Sequence, residues 1–170
     1  MDFLTLSEQR YSCRAMTNQK VEQEKIDKIL RVAQLAPTAV NKQPFHIWVT
    51  ENEEDIEKIK TTTPWTFNAP LFFVIGAKKD EAWVRKFDAR NFADVDASIV
   101  ATHMMMEIED LGLSTTWVGH FDAPKFKELF PQCADYDLVA IFPVGYADES
   151  AKPAGLHYKR KELKDLVDRL

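Results

Sequence analysis

Residues 94–111 restrict the fold more than any other stretch of this chain. Val95, Ala97, Ile99, Val100, Ala101, Met104, Met105, Met106, Ile108 and Leu111 leave almost no polar side. A helix that is apolar nearly all round has to be covered from several directions. Gly112 follows at once and supplies the residue type that ends helices. Ala97 and Ala101, four residues apart, would let another helix approach closely. Two arrangements satisfy this segment: a core helix wrapped wholly by its own chain, or a central helix shared with a second copy.

The other elements are shorter. Residues 22–36 carry Ile26, Ile29, Leu30 and Ala33 at helical spacing, with Lys25, Asp27, Lys28 and Arg31 opposite. That is an amphipathic helix, stopped by Pro37. A short apolar helix precedes Arg10, and Ile56 and Ile59 mark another surface helix over residues 53–60. Residues 46–50 and 71–76 predict strands, the second a continuous apolar run and so buried on both faces. Further strands are predicted over 115–118 and 138–144, with helical turns over 125–130 between them. Pro143 donates no ladder hydrogen bond and predicts an edge or a break there. Leu163, Leu166, Val167 and Leu170 are spaced as a short amphipathic helix at residues 161–170. Strands and helices are mixed rather than strictly alternating, which favours an α+β layered fold over a doubly wound one. With 170 residues, no linker and no repeat, one domain over 1–170 is expected.

Several function classes are disfavoured. The formal net charge of -5 does not suit a general nucleic-acid binder, although a small basic pocket is compatible with it. No run approaches the roughly 18 apolar residues of a membrane span, and residues 1–10 lack a basic segment followed by an apolar one. A cytoplasmic protein with reduced thiols is therefore expected, since Cys13 and Cys133 form no C-x-x-C pair. The five glycines assemble no dinucleotide-binding, P-loop or hydrolase-elbow motif. His46, His103, His120 and His157 lack metal-ligand spacing, so no metal is expected. His103, inside the Met-rich segment, reads as a core histidine.

Two segments carry chemistry. Arg10-Tyr11-Ser12-Cys13-Arg14 offers two guanidinium groups and a hydroxyl within five residues. In extended backbone Arg10, Ser12 and Arg14 fall on one side, a set suited to phosphate, while Cys13 points the other way and packs. The bland alternative is a solvated basic turn. Pro37-Thr38-Ala39-Val40-Asn41-Lys42-Gln43-Pro44 joins the second helix to the first strand, and connections of this length are often functional. Asn41 and Gln43 bring amide donors and acceptors suited to a heteroaromatic ring or a polyol chain. They could equally satisfy backbone groups of the loop.

In this order and spacing the two segments resemble the nitroreductase family of FMN-dependent oxidoreductases, with its R-x-S-x-R and P-[ST]-x-x-N-x-Q-P motifs. Asp96-Ala97-Ser98, Leu111-Gly112-Leu113-Ser114-Thr115, Trp117-Val118-Gly119-His120-Phe121-Asp122 and Lys159-Arg160-Lys161 extend the likeness over almost the whole chain. The resemblance implies an α+β layered fold with a central, mostly antiparallel sheet flanked by helices, and an intertwined homodimer with one FMN at each subunit interface. It implies that Arg10, Tyr11, Ser12, Arg14 and Arg160 hold the phosphate and ribityl end. Pro37, Thr38, Ala39, Asn41 and Gln43 would reach the same flavin from the partner subunit. Gly119 and His120 match the turn that offers N–H groups to the flavin ring.

The implied activity is hydride transfer from NAD(P)H through FMN to nitroaromatic, quinone or similar acceptors by a ping-pong scheme. The cofactor's N5 would carry the chemistry, and His120 is the one side chain weighed for a direct role. Trp65 and Phe67 are candidates to stack on flavin or substrate, with packing as the alternative. Tyr11 and Thr38 depart from the commonest residues of the pattern, and the short chain leaves little room for the helical excursion that larger members place over the flavin. A flavin-binding storage or regulatory module, and a dimeric interaction protein that has lost the cofactor, are the competing readings.

Overall fold

The computed structural model describes residues 2–170. Its sheet starts from β2 (Leu71–Ala77), every residue of which is buried. Period-2 geometry divides the apolar run between two faces. Leu71, Phe73, Ile75 and Ala77 join one core cluster, and Phe72 and Val74 join the other. β1 (Phe45–Thr50) and β6 (Asp137–Gly145) flank β2, and β5 (Ser114–Thr115) lies beyond β6, giving the order β1-β2-β6-β5 with all pairings antiparallel. A separate hairpin, β3 (Val84–Arg85) with β4 (Arg90–Asn91), was not expected from the sequence. Two-residue strands carry too little pattern to be read from it.

Helices cover both faces. α2 (Gln23–Leu35) and α4 (Ala93–Asp110) pack on one face through Ile26, Ile29, Ala33, Val100, Met104 and Ile108. α3 (Glu53–Lys60) and α5 (Ala123–Leu129) cover the other through Ile56, Ile59 and Phe126. α1 (Phe3–Gln9) lies at the chain start, its first turn capped by the Asp2 carboxylate accepting from the Thr5 N–H. The architecture is α+β, and no described helix is long and apolar enough to cross a membrane.

Two expectations need correction, and a third is met in one of its two forms. Residues 161–170 form no α-helix, only a short 3-10 turn at Leu163–Asp165 with exposed side chains. His103 is not in the core: it is exposed, with its Nδ1 2.9 Å from the Ile99 carbonyl. At Pro143, where an edge or a break was expected, there is no edge, because β6 is paired on both sides. A break accommodates it instead. The Ile141 N–H and C=O both bond to Val118, so Pro143, two residues on, turns its donor-free nitrogen toward the same neighbour. The ladder there is interrupted between Thr115 and Val118, and the Thr115 hydroxyl donates to the Pro143 carbonyl at 2.8 Å.

Phe142, with no exposed surface, packs edge-on against Trp117 at 5.4 Å. Phe142→Ala should cost about 3–5 kcal/mol in a urea titration. Cys133, almost fully buried, has its thiol pushed by burial from 9.0 up to about 11. Between those two pH values the unfolded chain ionises this thiol while the folded chain keeps its proton. The folded state then binds more protons, so the unfolding free energy should fall as pH rises from 9 to 11. Denaturation at stepped pH checks this, and Cys133→Ala should flatten the slope.

Candidate functional site

The segment carrying Arg10, Ser12 and Arg14 runs extended beside β5, where the Cys13 N–H donates to the Thr115 carbonyl at 3.0 Å. Cys13 is fully buried in this register, as its inward assignment requires. Arg10 reaches back to α4, with Nη1 3.8 Å from the Met105 sulfur, and Arg14 donates to the Ser12 carbonyl at 3.2 Å. Burial pushes the Tyr11 phenol up to about 12, with Cys13 adding to it. The edge of the Tyr11 ring meets His157 at 6.4 Å, which brings the C-terminal segment against this motif. From there Arg160 turns back and donates to the His157 carbonyl.

Among the described residues Arg85 is the one arginine in a salt bridge, with Asp88, so Arg10, Arg14 and Arg160 share their lack of an ion pair with Arg31, Arg90 and Arg169 and are set apart by their place in the fold. The planar fork of an arginine matches phosphate or carboxylate. Here Arg10 and Arg14 lie on one five-residue segment and Arg160 on the segment that meets it where His157 faces Tyr11.

Beside them lies a cavity of about 250 Å³ lined by Arg14, Trp65, Phe67, Thr116, Trp117, Val118, Gly119 and His120. Trp65 and Phe67 stack at 6.1 Å with 28° between their planes. The backbone at Phe67 and Asn68 is left-handed, φ 52 and 62, which is strained for residues other than glycine. The turn is tied down all the same: the Met16 N–H donates to the Phe67 carbonyl at 3.1 Å, and the Asn68 amide donates to the Met16 carbonyl at 3.1 Å. Gly119 has open space in front of it. A Cβ there would meet only Trp117, at 3.9 Å, so packing within the chain does not demand glycine. The N–H groups of Gly119 and His120 find no acceptor among the described residues.

The 37–43 loop stands elsewhere. The Ala39 N–H donates at 2.9 Å to Asp96 Oδ1, at the N-terminal end of α4. Asp96 to Met105 is nine residues, or about 13 Å along the helix axis. Within one chain, then, this loop is held far from the Arg10 motif. The structure groups Arg14, Gly119 and His120 around one cavity and joins Tyr11 to the C-terminal segment of Arg160 through His157, while Arg10 turns to α4 and Pro37, Thr38, Ala39, Asn41 and Gln43 stand apart. Gln43 serves the loop itself, its N–H donating to Thr38 Oγ1 at 3.0 Å and its amide to the Asn41 carbonyl at 3.0 Å. Asp96 Oδ2 is buried without a partner among the described residues. Val40, Asn41 and Gln43 all have positive φ.

Sequence reasoning placed Asp96 in a motif but missed its contact with the loop. It also missed Thr63, whose role is taken up below, and Trp117 and Thr116 as lining residues. A run of three threonines at the end of a helix was the signal available for Thr63.

The family model described as "Nitroreductase family" matches residues 8–65 and 60–146, and the chain belongs to that family. A crystal structure of a nitroreductase family protein from Clostridium difficile 630 superposes with TM-score 0.91 at 36% identity, covering 99% of this chain and 98% of the other. A Methanothermobacter thermautotrophicus protein, provisionally named NADH dehydrogenase/NAD(P)H nitroreductase, is 27% identical over 88% of this chain and 80% of its own length. A provisionally named nitroreductase from Exiguobacterium sibiricum 255-15, solved in complex with FMN, shares the fold at TM-score 0.84 and 19% identity, covering 100% of this chain and 98% of the other.

Val40 is exposed, β-branched and held at φ 46. Val40→Gly should therefore stabilise the chain by about 1 kcal/mol, by relieving left-handed strain with no buried contact to lose. Thermal unfolding of the two proteins measures it.

Proposed function

We propose that this protein is an FMN-dependent oxidoreductase that takes reducing equivalents from NAD(P)H and passes them to a nitroaromatic, quinone or similar electron-poor acceptor, each substrate using the same site in turn. The observation that carries this reading is a set of arginines outside any salt bridge, Arg14 on the cavity itself and Arg10 and Arg160 on the segments that meet at Tyr11 and His157, together with the open Gly119 wall of that cavity. A dianionic phosphate needs the first, and a flat ring that must approach backbone needs the second. The residues present fit the cofactor.

Arg10 and Arg160 would hold the phosphate, with Ser12 adding a neutral donor and Tyr11 closing against His157. Arg14 lines the cavity and would place positive charge near the ring. The N–H groups of Gly119 and His120 would donate to its edge, and Trp65 and Phe67 would bound the face where substrates enter. When bound, FMN supplies the acceptance and release of hydride and electrons. The chain's part is to orient the ring, keep cations and N–H donors where negative charge develops, and shape access. No paired acid and base is needed for that. His120, exposed at the mouth, is read as a wall of the pocket rather than a proton-transfer group.

The same reading includes a homodimer. One face of α4, along Val95, Ile99, Thr102, His103 and Met106, lines two open apolar cavities in the single chain. A two-fold pairing of antiparallel α4 helices would lay the Asp96 end of one copy beside the Met105 end of the other. The 37–43 loop, with Pro37, Thr38, Ala39, Asn41 and Gln43, would then reach the partner's arginines. The distance between these motifs within one chain supports this arrangement.

Purified protein should be yellow or bind added FMN, and anaerobic NAD(P)H should bleach it, with colour returning on addition of menadione or a nitroaromatic. Failure to bind FMN would overturn the proposal, and bound flavin that NAD(P)H cannot reduce would favour a storage module. Arg10→Ala and Arg160→Ala should each raise the Kd for FMN at least about tenfold, as expected for loss of a charge-assisted hydrogen bond. Thermal unfolding of the cofactor-free variants should change little. Unchanged affinity in both would remove the phosphate assignment.

A further inference from the structure

Residues 61–63 form a run of three threonines at the C-terminal end of α3, and the third behaves unlike the others. The Thr61 hydroxyl donates to the Lys58 carbonyl and the Thr62 hydroxyl to the Ile59 carbonyl, both at 2.8 Å, so both satisfy the end of their own helix. The Thr63 hydroxyl leaves the helix. It donates at 2.8 Å to the His120 carbonyl and accepts from the Trp65 N–H at 3.3 Å, and the residue is only 3% exposed. One buried hydroxyl thus joins the two walls of the cavity, the turn at Gly119–His120 and the turn of Trp65 and Phe67.

The neighbouring contacts make the same connection. The Asp122 N–H donates to the Thr62 carbonyl at 2.9 Å, and the Lys125 ammonium donates to the Thr61 carbonyl at 2.9 Å. Asp122 in turn caps α5 by accepting from the Lys125 N–H at 3.0 Å. Residues 120–125 are therefore gripped by three successive residues at the end of α3. With the His120 carbonyl and the Asp122 N–H both committed to that side, the N–H groups of Gly119 and His120 are among those left without a protein acceptor beside the cavity. Preorganised donors of this kind act on developing charge only if the turn cannot relax.

We propose that Thr63 is a positioning residue: its hydroxyl holds the Gly119–His120 turn in register with the Trp65 wall, so that the turn's N–H groups meet the cofactor ring as fixed donors. This rests on the flavin reading above but assigns a role to a residue that touches neither cofactor nor substrate. Two substitutions separate the hydroxyl from packing. Thr63→Val keeps the shape and loses the hydroxyl, and Thr63→Ser keeps the hydroxyl and loses the methyl group.

The first measurement needs no cofactor. Amide hydrogen exchange of the flavin-free protein should show the Asp122 N–H exchanging about tenfold faster in Thr63→Val, the scale of one hydrogen bond, and near the parent rate in Thr63→Ser. The second uses the FMN-loaded protein. Thr63→Val should lower the flavin midpoint potential and shift its visible absorption band, and Thr63→Ser should recover both toward the parent. Unchanged exchange in Thr63→Val, an unchanged potential in its FMN-loaded form, or a serine variant as impaired as the valine variant would each overturn the proposal. If the parent binds no flavin, the function reading fails and the positioning role falls with it. If flavin binds and is reduced normally while Thr63→Val matches the parent, only the role of Thr63 fails.

Discussion

Much of this molecule depends on what α4 holds at its two ends. At the N-terminal end the buried Asp96 carboxylate accepts the Ala39 N–H and fixes the entry of the 37–43 loop. Toward the C-terminal end Met105 meets Arg10. A carboxylate at a helix start is favoured by the N–H groups there, and one buried with a free oxygen persists only where the surroundings compensate its desolvation. The helix between these points is rigid enough to keep the two motifs apart. That separation is why the proposed function treats the two motifs as half-sites and brings in a second copy.

The charge balance follows from the same layout. The chain is acidic as a whole, yet Arg10, Arg14 and Arg160 gather without carboxylate partners. Several lysines are instead paired locally, as in the Lys58 pairs with Glu54 and Asp55 on α3 and the pair of Lys79 with Asp137. Exposed pairs of that sort contribute little to stability, so the contrast bears on recognition. The Glu109 carboxyl, raised by burial and partly lowered by the charge of Arg10, feels that arginine without forming a salt bridge with it. An anion brought in as cofactor would complete the balance.

Legibility in the sequence tracked the strength of the periodic signal. The α2 and α3 stripes and the β2 run were each placed to within a residue or so, because burial on one or both faces writes itself into residue spacing. The all-round apolar stretch at 94–111 correctly predicted a deeply packed helix, and Ala97 and Ala101 are fully buried in the core cluster that α4 shares with α2 and the sheet. The hairpin of β3 and β4 was too short to leave a pattern. The spacing of Leu163, Leu166, Val167 and Leu170 suggested a helix, but these side chains have no face of their own chain to pack on, and most helical stability comes from such packing. For the site, the motifs pointed to Arg14, Gly119 and His120, which the structure gathers around one cavity. The hydroxyl of Thr63 was invisible, since its value depends on a carbonyl 57 residues away.

The central claim, that each flavin site is built from the arginines of one copy and the loop of another, can be tested by complementation. Chains carrying Arg10→Ala, which damages the first half-site, would be mixed and refolded with chains carrying Asn41→Ala, which damages the second. The account predicts that high-affinity FMN binding, weak in either variant alone, reappears in the mixture, because every mixed dimer contains one undamaged site. Binding in the mixture no stronger than the average of the two variants would contradict it.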